Sequence, residues 1–439
     1  MKILVVGSGG REHALCWKIA ESPKCEKLYC APGSDGMSSV AELVNVKADD
    51  MDGLAKFARA GSIDLTVVGP EMPLVAGIVD RFQKEGLKVF GPAKELAALE
   101  GSKVFAKELM KRLGVPTADF KVFDKIEEAL RYIETKKLPF VIKADGLAAG
   151  KGVVICKSLD DGKEALSKMM IERCFGDSGD RVIVEDCLVG EEASIIVISD
   201  GKDIVPLASS QDHKRVFDSD KGPNTGGMGA YSPAPVVTDA LFKQIIDTTV
   251  LPVIRGLAKE GRPYKGALYA GIMLTDKGPF VLEFNARFGD PETQAILPRL
   301  KSDLVEMIEL AIDGKLNDFK AEWDRRPCVS VVIASGGYPG KYEKGMEIKG
   351  LEEIQKLKGT VVFHAGTKLG KRSTDGHKLF ITSAGRVLNV TALGNDMKDA
   401  INNCYKAVRL IKFDKMHYRT DIGYKALKAF STLGEKDAK

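Results

Sequence analysis

The chain has 439 residues, of which 44% are hydrophobic and 29% are charged. This length predicts about three domains with full hydrophobic cores, and the composition excludes a wholly disordered chain. The net charge of +4 is too small to indicate a nucleic acid partner, and no apolar run approaches the roughly 18 residues of a membrane span. Eight cysteines are scattered without a C-x-x-C pair, so we expect free thiols in a reducing compartment and a cytoplasmic protein.

Residues 1–102 alternate short β-rich runs with helical stretches. This alternation predicts a doubly wound parallel sheet, and therefore an N-terminal α/β domain over this range. The predicted strands are Lys2–Val6, Lys27–Cys30, Ile63–Val68 and Lys88–Phe90, and the predicted helices are Glu12–Glu21 and Pro73–Glu85.

Residues 103–190 have the pattern of a small α+β lobe. Ser102 is the predicted N-cap of a helix that ends at Leu113, and a glycine-rich loop separates two later strands. The other predicted elements are Phe120–Val122, Ile126–Thr135, Phe140–Lys143, Val153–Cys156, Leu159–Ile171 and Arg181–Asp186.

Residues 191–325 and 326–439 form two further predicted regions, the second of them strand-rich. The first contains a long polar stretch, Ser209–Ser232, and such stretches in compact domains are usually functional or disordered. The predicted fold class is therefore α/β and α+β in several domains. The predicted elements are Ala193–Ser199, Asp239–Lys259, Ala267–Leu274, Phe280–Asn285, Leu304–Ile312, Cys328–Ser335, Thr360–His364, Leu379–Thr382, Arg386–Leu393 and Met397–Ile411.

A glycine-rich turn, GSGGREH, follows the first predicted strand. Free N–H groups at the start of the next helix suit an anion, which makes Gly9, Gly10 and Arg11 candidate ligands. A dinucleotide fingerprint is disfavoured because Glu12 stands where its third glycine is required. A tight turn without a ligand remains the alternative. Glu71, after a neighbouring parallel strand, is a candidate for binding a sugar hydroxyl.

A second glycine-rich loop, KADGLAAGKG, runs from Lys143 to Gly152. It fails as a Walker A loop because three residues rather than four separate its glycines, and Gly152 replaces the Ser or Thr after the lysine. Such a loop can still fold over phosphates while lysines neutralise their charge. A mobile hairpin is the alternative, but Lys143 at the end of a buried apolar strand favours the phosphate interpretation.

Acidic residues follow the strand VIVED through a short connector. A connector backbone can bind the edge of adenine, and a nearby carboxylate, Glu191 or Glu192, can bind ribose hydroxyls. The alternative is that these acids are only solvated.

Strand alternation in VLEFNAR predicts that Glu283, Asn285 and Arg287 share one face with Val281. A carboxylate and an amide oxygen suit Mg²⁺, and an arginine can bind a carboxylate or phosphate with two hydrogen bonds. An edge strand with a polar face is the alternative.

Seven motifs spread over about residues 1–425 resemble the phosphoribosylamine–glycine ligase (glycinamide ribonucleotide synthetase) family of the ATP-grasp superfamily. The resemblance implies an N-terminal α/β (pre-ATP-grasp) domain at 1–102 and an ATP-grasp small lobe with a flexible lid at 103–190. It further implies a large lobe with the metal and glycine site at 191–325 and a β-rich C-terminal domain at 326–439. The motifs are GSGGREHA (7–14), GPEMPL (69–74), KADGLAAGKGV (143–153), VEDCLVGEEAS (184–194), SSQDHKR (209–215), PNTGGMGAYSP (223–233) and LEFNARFGDPETQ (282–294).

The resemblance implies a reaction of purine biosynthesis, in which ATP, glycine and 5-phosphoribosylamine give glycinamide ribonucleotide, ADP and phosphate. Glycine is first activated as glycyl phosphate, and the amine then displaces phosphate. No enzyme nucleophile is required, so catalysis consists of positioning and charge neutralisation. The implied cofactor is Mg²⁺ or Mn²⁺, with ATP as a substrate.

Roles carried over by the resemblance fall on specific positions. Glu283 and Asn285 are the implied metal ligands. Asp212 and Arg287 are the implied partners of the glycine ammonium and carboxylate, and with Lys143 they form the candidate catalytic set. The implied ATP ligands are Lys103, Lys143, Gly146, Gly150, Lys151, Gly152, Glu185, Cys187, Leu188, Glu191 and Glu192.

The ribose phosphate has candidate ligands in three places. The turn at Gly9, Gly10 and Arg11 suits it on physical grounds, as does a second glycine segment. Arg386 is a candidate by analogy with a related amidoligase, in which the last domain contacts the phosphate. The second segment consists of Gly226, Gly227 and Met228.

Two other functions remain open. An ATP-grasp carboxylase that uses bicarbonate is disfavoured by QDHKR and NTGGMG, and a non-catalytic nucleotide-binding module is disfavoured by the intact metal and lysine positions. The expected partners are small molecules, with no nucleic acid and no membrane, in a monomer or weak homodimer. His213 is not assigned as a general base, because the reacting amine can lose its proton to water or phosphate.

Overall fold

The computed structural model describes residues 1–148, 152–370 and 379–429, so the predicted ligands Gly150 and Lys151 lie outside the described residues. Within the described ranges we find no helix whose length and hydropathy suit a membrane crossing.

The N-terminal region is a five-stranded parallel sheet in the order β3-β2-β1-β4-β5. Ile3 and Val5 of the first strand pack into one core and Leu4 and Val6 into another, which confirms the doubly wound prediction. Its elements are β1 (Lys2–Gly7), α1 (Gly10–Ala20), β2 (Lys27–Pro32), a 3₁₀ turn (Asp35–Ser39), β3 (Glu42–Leu43), α2 (Met51–Ala60), β4 (Leu65–Val68), α3 (Glu71–Ala76), α4 (Ile78–Lys84), β5 (Val89–Phe90) and α5 (Lys94–Gly101).

One helix prediction in this region is wrong. The predicted helix Pro73–Glu85 is two helices, α3 and α4, because Gly77 between them has a φ of 101°. Only glycine adopts this left-handed conformation readily, so the chain changes direction there. The turn leaves α3 and Glu71 at the carboxyl edge of the sheet.

The small lobe is a four-stranded antiparallel sheet in the order β6-β9-β7-β8. Its core lies between this sheet and two helices. The preceding helix α6 (Lys103–Leu113) packs instead into the core of the large lobe, through Ala106, Leu109 and Met110. The elements of the small lobe are β6 (Phe120–Phe123), α7 (Ile126–Ile133), β7 (Phe140–Ala144), β8 (Val153–Cys156), α8 (Leu159–Leu166), a π-helical turn (Ser167–Ile171), a 3₁₀ turn (Gly176–Gly179) and β9 (Val182–Asp186).

The large lobe is built on an antiparallel sheet in the order β11-β10-β16-β17. The predicted long polar stretch contains four short strands rather than none. The elements are β10 (Glu191–Asp200), β11 (Ile204–Pro206), β12 (Gln211–Asp212), β13 (Arg215–Phe217), β14 (Lys221–Asn224), β15 (Gly229–Ser232), α9 (Asp239–Ile245), a π-helical turn (Ile246–Val250), α10 (Leu251–Lys259), β16 (Lys265–Thr275), β17 (Gly278–Asn285), α11 (Glu292–Ile296), a 3₁₀ turn (Leu297–Arg299) and α12 (Leu304–Asp313).

The last region is strand-rich, as predicted, and its main sheet has the order β12-β15-β18-β23-β20 with β24 beside β18. Two strands of the polar stretch therefore belong to this sheet, and Tyr231 of β15 lies opposite Val329 of β18. The elements are β18 (Cys328–Ser335), β19 (Glu347–Ile348), α13 (Leu351–Ile354), β20 (Thr360–His364), β21 (Thr367–Leu369), β22 (Phe380–Thr382), β23 (Arg386–Leu393), α14 (Met397–Val408) and β24 (Met416–His417).

Candidate active site

The predicted metal ligands lie on one face of the large-lobe sheet. Glu283 is opposite Gly271 and Asn285 is opposite Tyr269, so both side chains point to the face that also carries Glu192. Glu191 points to the other face, where its carboxylate accepts a hydrogen bond from Gln211. Of the two carboxylates proposed for the ribose, Glu192 is therefore the one that shares a face with the metal pair.

The predicted place of Val281 on this face is wrong. Ile272 lies opposite Val281, but its neighbour Gly271 lies opposite Glu283, so Leu282 is an extra residue that forms a β-bulge. The bulge leaves Val281 in the core with Phe284, and regular alternation resumes at Glu283.

Four positive side chains set the charge around Glu283. Burial alone would raise the pKa of this carboxyl group, but Lys214, Lys143, Lys103 and Arg287 hold the pKa below its usual range. Among the described residues, no lysine, arginine or histidine nitrogen forms an ion pair with Glu283 within 4.0 Å. Its ionised oxygens are therefore available to a cation.

Lys143 and Lys107 share one buried carboxylate. The Nζ atoms of Lys143 and Lys107 lie 2.5 Å from Oε1 and Oε2 of Glu185, respectively. Burial would raise the pKa of Glu185, but the two lysines hold it below its usual range. Burial also lowers the pKa of Lys107 to about 8, against the attraction of Glu185. The side chain of Glu185, which was predicted as an ATP ligand, therefore pairs with two lysines, and only its backbone remains to contact a nucleotide.

Lys103 lies in the first turn of α6, beside the glycine-rich loop. Its Nζ donates to the carbonyl of Gly146 over 2.8 Å. A cation in a first turn opposes the helix macrodipole, and here the Asp145 carboxylate offsets it by accepting from the N–H of Val104 at 2.8 Å. Arg181 pairs with the other oxygen of Asp145 at 2.6 Å.

Asp212 lies among other charged groups, at the end of the short strand β12. Burial raises the pKa of Asp212 to about 7, Lys214 opposes this rise, and Glu292 and Glu192 add to it. Lys214 itself pairs with Glu192 at 2.6 Å, on the metal face of the sheet. The predicted ammonium partner is therefore a carboxyl group that titrates near neutral pH.

Arg287 connects the large lobe to the N-terminal domain. Its guanidinium lies 2.9 Å from Glu100, 3.2 Å from Glu71 and 3.1 Å from the carbonyl of Phe288. Burial raises the pKa of Glu100, against the pull of Arg287. Arg287 is therefore not an unpaired arginine awaiting a ligand, because three of its donor groups already have partners.

The residues predicted for the ribose phosphate come together around Asp290. Arg386 lies 2.8 Å from the Asp290 carboxylate and donates to the carbonyl of Gly226 at 2.7 Å. A Cβ atom added to Gly9 would lie 3.7 Å from the same carboxylate, and one added to Gly227 would lie 2.4 Å from Pro291. The three candidate sites for the ribose phosphate, at residues 9–11, 226–228 and 386, thus lie close together in the structure.

The glycine turn before α1 explains the failed dinucleotide pattern. Glu12 is buried, accepts from the N–H of Gly9 at 2.6 Å and pairs with Arg11 at 2.5 Å. A Cβ atom on Gly7 or Gly69 would lie within 2.4 Å of the Glu12 side chain. Glu12 therefore fills the crevice at the ends of β1 and β4.

Other predicted ligands lie in two connections of the small lobe. Cys187 and Leu188 form the half-buried connector after β9, and Gly152, the last residue of the glycine-rich loop, is buried just before β8. Met228, in contrast, is fully buried in a small core with Val216, so its side chain is not exposed to a ligand.

Comparison with known proteins decides the family. Sequence models of phosphoribosylglycinamide synthetase match residues 1–100 (N domain), 101–293 (ATP-grasp domain) and 328–425 (C domain). A phosphoribosylamine–glycine ligase from Caldanaerobacter subterraneus is 50% identical over 422 residues, which cover 96% of this chain and 99% of the relative. The chain belongs to the phosphoribosylglycinamide synthetase family. It is an ATP-dependent ligase of the ATP-grasp type.

Solved structures agree with this family. A phosphoribosylamine–glycine ligase from Thermotoga maritima is 34% identical, with a TM-score of 0.82, over 96% of this chain and all of the other. A biotin carboxylase domain from Hydrogenobacter thermophilus, solved with MgADP and bicarbonate, is 15% identical with a TM-score of 0.72, over 98% of each chain. The second likeness shows a shared ATP-grasp fold alone.

Several residues that pair with the predicted site residues were not identified from the sequence, namely Lys107, Glu100, Lys214 and Asp290. Lys107 had a usable signal, because it lies four residues after Lys103 and therefore on the same side of α6. Glu100 had none, because its contact with Arg287 joins residues 187 positions apart.

His213 is not placed to act as a base. It is 1% exposed, and neither ring nitrogen has a hydrogen-bond partner among the described residues. Burial, with Arg419 and Lys425, lowers its pKa to about 3. The ring lies 5.8 Å from those of Tyr231 and Tyr424, so its role is packing.

Proposed function

We propose that this chain joins glycine to 5-phosphoribosylamine at the expense of ATP, giving glycinamide ribonucleotide, ADP and phosphate. The observation that carries the proposal is the convergence of three sites at the end of β17. Lysines and Arg287 surround Glu283 of the metal pair, Asp212 lies near Lys214 and Glu292, and the Asp290 cluster follows along the chain. The family and the names of its relatives support the same reaction.

Glu283 and Asn285 fit a divalent cation that is shared with a nucleotide. The part of the chain that the structure describes has no group of three acidic, histidine or cysteine side chains placed to hold a metal alone. Mg²⁺ commonly takes one or two protein oxygens and completes its shell with phosphates and water. Glu283 and Asn285 would hold Mg²⁺ or Mn²⁺ there, and the cation would supply positive charge that neutralises the phosphates.

The nucleotide would lie between the small lobe and the metal face. Lys103 and Lys143 neutralise its phosphates, and the loop from Gly146 to Gly152 covers them. The backbone of the connector at Cys187 and Leu188 binds the adenine edge, and Glu192 binds the ribose.

Glycine would be held by opposite charges. Asp212 binds the ammonium, and the remaining N–H groups of Arg287 bind the carboxylate. A carboxylate oxygen attacks the γ-phosphorus, the bond to ADP breaks, and glycyl phosphate forms. The nitrogen of phosphoribosylamine then attacks the acyl carbon, the carbon–oxygen bond to phosphate breaks, and the amine proton passes to phosphate or water.

The ribose phosphate would bind in the Asp290 cluster, where Arg11 and Arg386 carry the positive charge. Gly9, Gly10, Gly226 and Gly227 let the segments around this cluster pack closely, because a Cβ atom at any of these positions would meet a neighbouring residue of the chain. The eight unpaired cysteines fit a reducing cytoplasm, which we propose as the compartment, with a monomer or weak homodimer as the assembly.

The deciding experiment is product detection with ATP, glycine and freshly made phosphoribosylamine. We expect glycinamide ribonucleotide, with one ADP per product. Bicarbonate in place of glycine should give no turnover, which separates this reaction from that of an ATP-grasp carboxylase. ATP binding without turnover under every condition would leave a nucleotide-binding module and refute the proposal.

A further inference from the structure

The bulge at Leu282 decides which side chains reach the metal face. Val281 lies in the core with Ile272 and Phe284. If β17 alternated without interruption, Glu283 would share the face of Val281 and would point into that core. The extra residue moves Glu283 to the opposite face from Val281. The direction of the Glu283 carboxylate therefore depends on a local irregularity of the backbone.

The backbone around the bulge is bound by groups from outside its own sheet. β17 is an edge strand, so one side of it has no neighbouring strand in that sheet. On that side the N–H of Val281 donates to the carbonyl of Pro116 over 2.8 Å. The hydroxyl of Thr117 donates to the carbonyl of Val281 over 2.8 Å, and Lys143 donates to the carbonyl of Leu282 over 3.1 Å.

The direction of the Thr117 hydrogen bond is fixed by a buried lysine. Lys107 is 2% exposed and its Nζ lies 2.7 Å from Oγ1 of Thr117. An ammonium group has donors only, so the hydroxyl must accept from it and must direct its single hydrogen to Val281. Lys107 is itself held by Glu185, which also holds Lys143. One network therefore binds two successive carbonyl groups of the bulge.

We infer that Thr117 is a positioning residue for the divalent cation, because its hydroxyl holds the bulge that turns Glu283 and Asn285 toward the nucleotide. Thr117 does not touch the cation on this inference; it acts through the backbone of Val281. The inference rests on the proposed function only in taking Glu283 and Asn285 as the metal ligands.

The test measures the Mn²⁺ affinity of the full-length protein at saturating ADP. Electron paramagnetic resonance of Mn²⁺ is the readout. Thr117→Val removes the hydroxyl at nearly constant volume, and we expect Mn²⁺ affinity to fall about tenfold, as for other groups that orient metal ligands. Thr117→Ser keeps the hydroxyl and should bind Mn²⁺ within about threefold of the wild type. Affinity for ADP in EDTA should be unchanged in both variants.

Thr66→Val is the matched control, because Thr66 is buried in β4 and its hydroxyl has no partner among the described residues. It should bind Mn²⁺ as the wild type does. If Thr117→Val is unstable by thermal unfolding, Thr117→Ala removes the same hydroxyl and has the same expected result.

Three outcomes would overturn the inference. They are unchanged Mn²⁺ affinity without the hydroxyl, equal losses in the Ser and Val variants, and an equal loss of ADP binding in EDTA. A wild-type protein that binds no Mn²⁺ with ADP would instead refute the metal site of the proposed function.

Discussion

Two clusters of positive side chains flank the end of β17, and they differ in how their charge is balanced. On the nucleotide side, three lysines and Arg181 lie among three carboxylates, so one positive charge is in excess. The lysines are Lys103, Lys107 and Lys143, and the carboxylates are Asp145, Glu185 and Glu283. On the other side are three arginines and four carboxylates. These are Arg11, Arg287 and Arg386 with Glu12, Glu71, Glu100 and Asp290.

The difference indicates how each side selects its ligand. An excess of buried lysine charge attracts a polyanion such as ATP over a distance. Carboxylates and carbonyls already hold the arginines in fixed orientations. The arginines therefore present their remaining N–H donors to a ligand in fixed directions but add no excess positive charge. The nucleotide side should therefore respond most to changes of charge, and the arginine side to changes of shape and pairing.

The largest expected effect is the loss of the metal carboxylate. Glu283→Gln keeps the volume of the side chain and removes its charge, and we expect kcat/KM to fall at least about 100-fold, since metal stabilisation is worth several kcal/mol. Steady-state assays at saturating Mg²⁺ test this, with circular dichroism and thermal unfolding as controls for folding. Near wild-type activity would show that Glu283 holds no catalytic cation.

The next effect concerns Arg287, which has partners in both domains. Removing one member of a buried charged pair costs roughly 2–5 kcal/mol, or roughly 30-fold and more in affinity. Arg287→Ala should therefore raise the glycine KM about 30-fold, with a much smaller change for ATP, and should also lower the thermal unfolding midpoint because Glu100 loses its partner.

Separate titrations of glycine and ATP, beside thermal unfolding, distinguish the roles of Arg287. Equal rises of both KM values would place it in the nucleotide site. A loss of stability with both KM values unchanged would make it only a link between domains.

A smaller effect is a dependence on pH through Asp212, whose pKa burial raises to about 7. In the proposed function glycine binding needs the ionised carboxylate of Asp212, so kcat/KM for glycine should fall about tenfold per pH unit below about 7. Asp212→Asn should remove this slope and lower the plateau. A slope that survives in Asp212→Asn would assign the titration to another group.

The same shift has a consequence for stability. An unfolded aspartate titrates near 3.9, so the folded protein binds this proton more tightly and this group makes folding less favourable as pH rises from about 4 to about 7. Denaturant titrations of Asp212→Asn should show a smaller loss of stability over that interval than the wild type.

The smallest effect tests the excess charge directly. Lys107→Met should raise the ATP KM about fivefold, because one buried charge near the phosphates is worth about 1 kcal/mol after screening. The control is Arg112→Met on the same helix, where Arg112 is 51% exposed and pairs with Glu260 at 2.8 Å. An ATP KM that rises equally in both variants would attribute the effect to the helix rather than to the charge.

Strands bounded by clear turn signals were predictable from the sequence. Val153–Cys156, Cys328–Ser335, Thr360–His364 and Arg386–Leu393 have the predicted limits, because each is a run of β-branched residues between polar or glycine-containing segments. The helix from Lys103 to Leu113 was likewise predicted with its N-cap, and Ser102 accepts from the N–H of Phe105.

The parts that were missed depend on contacts between distant segments. No local pattern predicts the bulge at Leu282, because Thr117 and Lys143 bind it from the small-lobe side of the chain. The pairing of Arg287 with Glu71 and Glu100 is similarly long-range. The candidate residues of the site could therefore be predicted from the sequence, whereas the residues that form ion pairs with them could not.

The pairing of Gly229–Ser232 with Cys328–Ser335 affects how the enzyme is made. Asp212 is held opposite Ala230, and Ala230 in turn lies opposite Ser330, so the segment that we propose binds glycine is braced by a strand about a hundred residues later. On the ribosome, a chain that ends before Cys328 leaves this strand with one edge unpaired. Because domains fold as units in N-to-C order, the nucleotide lobes can form first, and glycine recognition is completed only after the last domain has been synthesised.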